Sequence, residues 1–168
     1  RSASSRATGS GAPARKAGES VRPDAALALL REDHPYVGRG GIKLAHALDA
    51  FAVRVAARRA LDIGASTGGF TDVLLRHGAA SVVALDVGRG QIDWRLRTDP
   101  RVVVMEGVNA RALTPAQVPG PFDLVTIDVA FISLRHILPA LPPRLVPDAD
   151  VVALVKPQFE AGPEDVPR

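Results

Sequence analysis

The apolar positions of this chain fall into two spacings. Between residues 59 and 155 they gather in five short, nearly unbroken runs, at 59–63, 81–86, 101–105, 122–127 and 150–155. Runs of this length, rich in Val, Ile and Leu and bounded by Gly, Pro or Asp, predict strands buried on both faces. Between the runs the spacing turns helical. Residues 70–77 predict a helix stopped by Gly78, in the position after a helix where a left-handed conformation is favoured. A further helix is predicted over 133–141. Upstream, Leu44, Leu48, Phe51 and Val55 recur at i, i+4, i+7 and i+11, one apolar stripe on a helix that begins near Ile42. Lys43 falls about 100° from that stripe, on the helix flank rather than in the core. A short helical pattern also follows Asp24, where the acidic side chain suits a cap. Strands alternating with helices predict an α/β fold with a doubly wound, mostly parallel sheet covered on both faces.

Residues 1–23 break the pattern. They hold Ser, Ala, Gly, Pro and five basic residues, with almost nothing large and apolar. Such a segment cannot bury enough surface to offset its ordering entropy, which predicts a flexible basic linker or tail. The remainder, 24–168, reads as one domain. Composition agrees: 168 residues with 46% hydrophobic and 23% charged side chains suit a single globular unit. The absence of Cys excludes a disulfide scaffold, a thiolate metal site and a thiol nucleophile. No apolar run approaches the roughly 20 residues of a membrane span, and no signal core opens the chain, so a cytoplasmic protein without membrane contact is expected. Among 21 basic residues only Lys16, Lys43 and Lys156 are lysines. In a chain that otherwise uses Arg, each Lys asks what only an ammonium can do. A neighbouring cation and a dry pocket can strip its proton, whereas a guanidinium keeps its own.

The first candidate for chemistry is the loop after the first strand, Asp62-Ile-Gly64-Ala-Ser66-Thr67-Gly68-Gly69-Phe70. Glycines there let the backbone approach a ligand and set amides at a helix N-terminus. Asp86 ends the next strand, 22 residues after Gly64, where a carboxylate can accept from ribose hydroxyls. A nucleoside-bearing cofactor fits both features. A dinucleotide is disfavoured because Ser66 stands where its pyrophosphate needs a second glycine. Gly64-Ala-Ser66-Thr-Gly68 also matches the G-x-S-x-G elbow of serine hydrolases, though no histidine follows at a useful place. S-adenosylmethionine has a ribose and no pyrophosphate, and suits the loop best.

The second candidate lies at the ends of the last two runs. In an open parallel sheet, ligands sit beyond the carboxyl ends of the strands. Asp128 follows the fourth run and Lys156 the fifth. If those strands pair, the two residues emerge about 5 Å apart. Pro157 biases Lys156 to extended backbone. Asp128 can then orient the amine, and Lys156 can hold or deprotonate an attacking hydroxyl. Lys43 is the candidate for a second positive group. No metal-ligating set is read.

Four motifs carry a family resemblance: Tyr36-Val-Gly-Arg-Gly-Gly-Ile-Lys-Leu, Leu61-Asp-Ile-Gly-Ala-Ser-Thr-Gly-Gly-Phe-Thr-Asp, Asp128-Val-Ala-Phe-Ile-Ser-Leu and Val155-Lys-Pro-Gln-Phe-Glu. In this order they resemble the TlyA family, often labelled hemolysin A, within the FtsJ/RrmJ-like group of RNA methyltransferases. The resemblance covers about residues 34–164. It implies a Rossmann-like S-adenosylmethionine-dependent fold and methylation of a cytidine ribose 2′-hydroxyl in ribosomal RNA. The catalytic residues it implies are Lys43, Asp128 and Lys156. The cofactor set combines residues 62, 64 and 66–70 of the loop with Asp86, Val87, Asn109 and Asp128, and Arg39 and Lys43 face RNA. Ribosomal RNA or ribosomal subunits are the implied partners, reached through an N-terminal S4-type domain. Three departures stand out. Gly38 replaces an expected serine, a basic linker stands where the S4-type domain is expected, and the family's fourth catalytic residue, a Glu on a late strand, has no counterpart. Glu160 and Glu164 lie in the wrong place for it, so the expectation is a catalytic domain cut after its fifth strand. The alternatives are a non-enzymatic RNA-binding or hemolysin-type protein, and a serine hydrolase acting through Ser66.

Overall fold

The computed structural model describes residues 34–114 and 116–161. The expected linker over 1–23, the helical pattern after Asp24, Lys16 and Glu164 lie outside the described residues. Five strands form one sheet: β1 (Arg59–Ile63), β2 (Ser81–Asp86), β3 (Val102–Glu106), β4 (Phe122–Ile127) and β5 (Leu145–Ala153). All neighbours are parallel, in the order β3-β2-β1-β4-β5. The chain starts mid-sheet, runs to one edge, then crosses back to build the other. Strand order therefore reverses between β1 and β4, the place where such sheets open a crevice for ligands. Among the described residues four α-helices accompany the sheet: α1 (Gly40–Ala50), α2 (Gly69–Arg76), α3 (Trp94–Arg97) and α4 (Pro157–Glu160).

Alternation along the strands sorts the core into two layers. Ala60, Val82, Ala84 and Leu124 meet Leu44 and Leu48 of α1 and Val73 and Leu74 of α2. Leu61, Ile63, Val83, Leu85, Val125 and Ile127 meet Leu134, Ile137 and Leu141 on the opposite side. Small residues dominate the first strand face, which lets the helices press close. Branched, larger residues fill the second. The three central strands are almost wholly buried. At the edges Val103 and Val151 are 56% and 40% exposed, so the expected cover on both faces holds for the centre of the sheet and thins at β3 and β5.

β1, β2 and β4 fall where the apolar runs place them, and β3 is shifted by one residue. Three expectations need correction. The apolar stripe on α1 ends at Leu48. The helix stops at Ala50, Phe51 is 73% exposed, and Val53 N donates to Leu48 O as Ala52 adopts φ +52° and reverses the chain. Val55 is buried, but by this detour rather than by a continuing helix. The helix expected over 133–141 is instead a string of 3-10 turns, Leu134–His136, Leu138–Ala140 and Pro142–Arg144. Pro139, Pro142 and Pro143 remove the amides that an α-helix needs there. β5 starts five residues earlier than its apolar run and ends at Ala153, with a register irregularity against β4 between Phe122 and Leu124. Among the described residues no helix is long and apolar enough to cross a membrane.

Candidate active site

At the carboxyl ends of β1, β2 and β4 lies a cleft of about 750 Å³. One wall is the loop that joins β1 to α2. Gly64 and Ala65 donate to Leu85 O at 2.8 and 3.1 Å, and Asp128 N donates to Ile63 O at 3.0 Å. The ladder hydrogen bonds of the sheet thus continue past the strand ends and fix this loop against Asp128. Gly64 adopts φ +85°, and a Cβ there would stand 2.5 Å from Asp128 O. No side chain fits between the loop and the strand beside it.

Asp86 closes the second wall. Its Oδ2 accepts from Ser66 N at 2.7 Å and its Oδ1 from Gly88 N at 2.7 Å. The carboxylate therefore holds two loops together, and each oxygen retains a lone pair for a ligand hydroxyl. Ser66 sits at φ +49°, with Oγ donating to Gln91 Oε1 at 3.3 Å. The cleft lining contains no histidine, and His77 is committed to Val73 O on α2, so Ser66 has no base of the kind a hydrolase requires. Asn109 lines the cleft while its Oδ1 accepts from Arg111 N at 3.0 Å, which leaves its amide N–H groups for a ligand.

The third wall carries the charged pair. β4 and β5 do pair, and Lys156 Nζ lies 2.6 Å from Asp128 Oδ1. The same nitrogen donates to Val129 O at 2.8 Å. Lys156 follows β5 by three residues rather than directly, with extended backbone (φ −114°, ψ 99°) before Pro157. Both side chains are about four-fifths buried, at 23% and 19% exposure, so the pair is shielded but reachable. Lys43, exposed on α1, lines the opposite rim with Arg39.

The sequence-predicted residues therefore converge. Arg39, Lys43, Gly64, Ser66, Thr67, Gly69, Phe70, Asp86, Val87, Asn109, Asp128 and Lys156 all border one cleft. Two do not. Gly68 turns from the cleft at φ +98°, and a Cβ on it would meet Leu96 Cδ1 at 2.2 Å. Asp62 is wholly buried beneath the loop and does not line the cleft. Sequence reasoning missed Gln91, Arg111 and Phe131, all in the lining. Phe131 is 91% exposed at φ +62°, with its ring 5.3 Å from that of Phe159. It lies in the Asp128-Val-Ala-Phe-Ile-Ser-Leu segment, where an aromatic among apolar residues carries no sign of its exposure. Glu160 stays away from the pair. Its Oε2 accepts from Ser133 Oγ at 2.6 Å and its Oε1 from Leu134 N at 2.8 Å, bonds that hold its carboxyl below the usual range. Among the described residues no cluster of His, Asp and Glu could hold a metal ion.

A cleft of this volume suits a nucleoside-sized ligand with an amino-acid tail. The donor set fits as well, with backbone amides and glycines on one wall, a carboxylate for hydroxyls on the second and an ammonium–carboxylate pair on the third. Comparison with known proteins bears on this arrangement. Residues 36–167 match a family model described as FtsJ-like methyltransferase. The 16S/23S rRNA (cytidine-2′-O)-methyltransferase TlyA of Mycobacterium tuberculosis is 56% identical over 153 residues, covering 90% of this chain and 57% of that protein. A solved structure from Streptococcus thermophilus, carrying a provisional hemolysin designation, is 52% identical with a TM-score of 0.78, over 82% of this chain and 50% of that one. A ribosomal protein L11 methylase from Lactobacillus delbrueckii subsp. bulgaricus, 21% identical with a TM-score of 0.54 over 69% of this chain and 60% of that one, shares the fold alone. The chain spans about half the length of the curated relatives it matches.

Proposed function

The chain belongs to the FtsJ-like methyltransferase family, and from that premise we propose that it methylates the 2′-hydroxyl of a cytidine ribose in ribosomal RNA, using S-adenosylmethionine. The observation that carries this reading is the Lys156 ammonium held 2.6 Å from Asp128 in the cleft the glycine loop borders. Gly64, Ser66, Thr67, Gly69 and Phe70 would hold the methionine side of the cofactor, Asp86 and Val87 its ribose, and Asn109 its adenine edge. When bound, the cofactor supplies an electrophilic methyl carbon on a cationic sulfur.

The chain's own residues prepare the nucleophile. Asp128 and Val129 O fix the direction of Lys156 Nζ, which leaves one face of the nitrogen for a substrate hydroxyl. Lys156 would hold that oxygen as the C–O bond forms and the methyl–sulfur bond breaks, and the hydroxyl proton would pass to Lys156 Nζ as it hands one of its own to Asp128. Lys43 and Arg39 supply positive charge on the rim for the phosphates flanking the target ribose. An S4-type domain preceding the chain would add RNA contacts, and a cytoplasmic location follows from a ribosomal substrate.

The test is transfer of labelled methyl from S-adenosylmethionine to ribosomal subunits, followed by digestion to nucleosides. Label in 2′-O-methylcytidine is expected. Label on a base, or none, would rule the reading out. A dye-leakage assay on anionic vesicles separates the hemolysin alternative, which requires dose-dependent release.

A further inference from the structure

Beneath the cleft lies a polar cluster that takes no direct part in the chemistry above. Asp62, the last residue but one of β1, has no exposed surface. Its Oδ2 accepts from Thr71 Oγ1 at 2.7 Å, and its Oδ1 accepts from Thr126 Oγ1 at 2.9 Å. Both threonines are fully buried. A buried carboxylate is costly unless its lone pairs are filled, and here each oxygen receives a hydroxyl.

The three residues come from three elements. Asp62 and Thr126 are direct partners in the β1–β4 register. Strand alternation turns both toward the face that α2 covers, where Ala60 and Leu124 also point. Thr71 lies in the first turn of α2, directly after the loop that borders the cleft. Gly68, the N-cap, offers no side chain to that turn. The Asp62 carboxylate therefore stands behind the helix start, and its hydrogen bond to the Thr71 backbone adds to the hydroxyl bond. Thr126 stands two residues before Asp128, which follows the end of β4 directly.

An apolar side chain could fill this space, but it would not set direction. A fully satisfied buried network admits one arrangement of its members, whereas dispersion contacts admit several. We propose that Asp62 is a positioning residue, which sets the cofactor loop through Thr71 and the Asp128 segment through Thr126. One carboxylate thereby fixes how far the methyl donor's wall stands from the wall that carries Lys156.

This inference rests on the methyl-transfer reading. The geometry gives it two arms that can be cut separately. Thr71→Val removes one hydroxyl with little change of shape, and Thr126→Val the other. Calorimetric titration with S-adenosylhomocysteine reads the loop, and kcat at saturating cofactor reads the Asp128 segment. A hydrogen bond to a charged partner is commonly strong enough to shift either by about tenfold. Thr71→Val is expected to weaken cofactor binding about tenfold with kcat within about twofold. Thr126→Val is expected to lower kcat about tenfold with cofactor affinity within about twofold. Thr71→Ser and Thr126→Ser, which keep the hydroxyl, should restore each quantity even where both valine variants lose melting temperature. Equal losses of affinity and kcat in both valine variants, or a change in melting temperature alone, overturn the inference and leave the methyl-transfer reading standing. A wild-type protein that neither binds S-adenosylhomocysteine nor transfers methyl overturns that reading, and the inference with it.

Discussion

The two sides of the cleft are built from different materials. On the β1–β2 side the surface offered to a ligand is largely backbone, with glycine turns and amides fixed by carboxylates that face inward. Asp86 takes Ser66 N and Gly88 N, and Asp62 takes Thr71 and Thr126 from below. On the β4–β5 side the surface is side chain. Lys156 reaches Asp128 and Val129 O, Phe131 stands out at the rim, and Glu160 ties the segment after Asp128 to α4. The first side is laid on two helices and the centre of the sheet. The second is laid on β4, on 3-10 turns and on an edge strand that is half open. A surface of amides suits holding a cofactor, because its shape survives small changes in its surroundings. A surface of long side chains suits moving a proton, because one substitution can rewrite its chemistry. On the proposed function, binding falls to one side and transfer to the other, and each half can be tested against the other.

The largest separation should come from Lys156→Ala. Loss of a positioned proton-transfer group commonly costs about 10²–10⁴-fold in rate. We expect methyl transfer to fall by about 10³-fold, with S-adenosylhomocysteine affinity within about threefold. Lys156→Arg should not recover the rate, because a guanidinium keeps its proton and is planar where the ammonium is compact. Single-turnover transfer with parallel calorimetry measures both quantities. A near-normal rate in Lys156→Arg would reduce the residue to a positive charge and dissolve the distinction.

A middle-sized effect probes the opposite side. Burial pushes the Asp62 carboxyl from 3.8 up to about 6, with Asp128 adding to the rise against the hydrogen bonds from Thr71 and Thr126. The native state then holds a proton between pH 4 and 6 that the unfolded chain has released. Stability from this group is complete below about 3.8, and it is lost as pH rises through about 6. The span corresponds to about 3 kcal/mol at most. Asp93, Asp99, Glu106 and Glu160 act in the other direction. Their pKa values are lowered, first by hydrogen bonds to Arg95, Arg101, Arg97 and Ser133 respectively, so they lose stability only as pH falls through the lowered values. Urea denaturation at pH 7 and pH 4.5, on wild type and Asp62→Asn, isolates the buried group. The gap between the two proteins should move in favour of wild type as pH drops. Parallel curves would mean that Asp62 carries no charge to relieve.

The same contrast explains what the sequence made legible. β1, β2 and β4 are unbroken apolar runs because helices or turns cover both faces, and their bounds could be read directly. Residues at the ends of those strands, Gly64, Asp86 and Asp128, were legible for the same reason, since strand ends are where a parallel sheet meets its ligand. Past β4, Pro139, Pro142 and Pro143 turned a helical spacing into 3-10 turns, and β5 begins in Leu145-Val-Pro, which no apolar count marks as strand. Asp62 was read as a ligand contact from its place in the loop motif. The role proposed for it depends on Thr71 and Thr126, nine and sixty-four positions away, and only the register of β1 against β4 brings the latter to it. Phe51 failed in the reverse sense, because a periodic stripe does not announce that Ala52 will reverse the chain.

The smallest expected effect is the most discriminating. Glu160 touches neither wall directly, yet it accepts from Ser133 Oγ and Leu134 N and so closes the loop that leaves Asp128. Those bonds, with Ser133 first, lower its pKa, so the clamp is fully formed above the ordinary carboxylate range and weakens as pH falls through the lowered value. Glu160→Gln keeps one acceptor and turns an N–H₂ group toward the other donor. Partial exposure limits the loss, since solvent can replace the missing acceptor. We expect methyl transfer to fall about threefold, a slightly lower melting temperature and no change in S-adenosylhomocysteine affinity. The direction of the affinity result carries the weight. If Glu160→Gln weakens cofactor binding as much as it slows transfer, then the loop after Asp128 supports the cofactor too, and the division between a wall that binds and a wall that transfers is wrong at the point where Gly64 packs against Asp128 O.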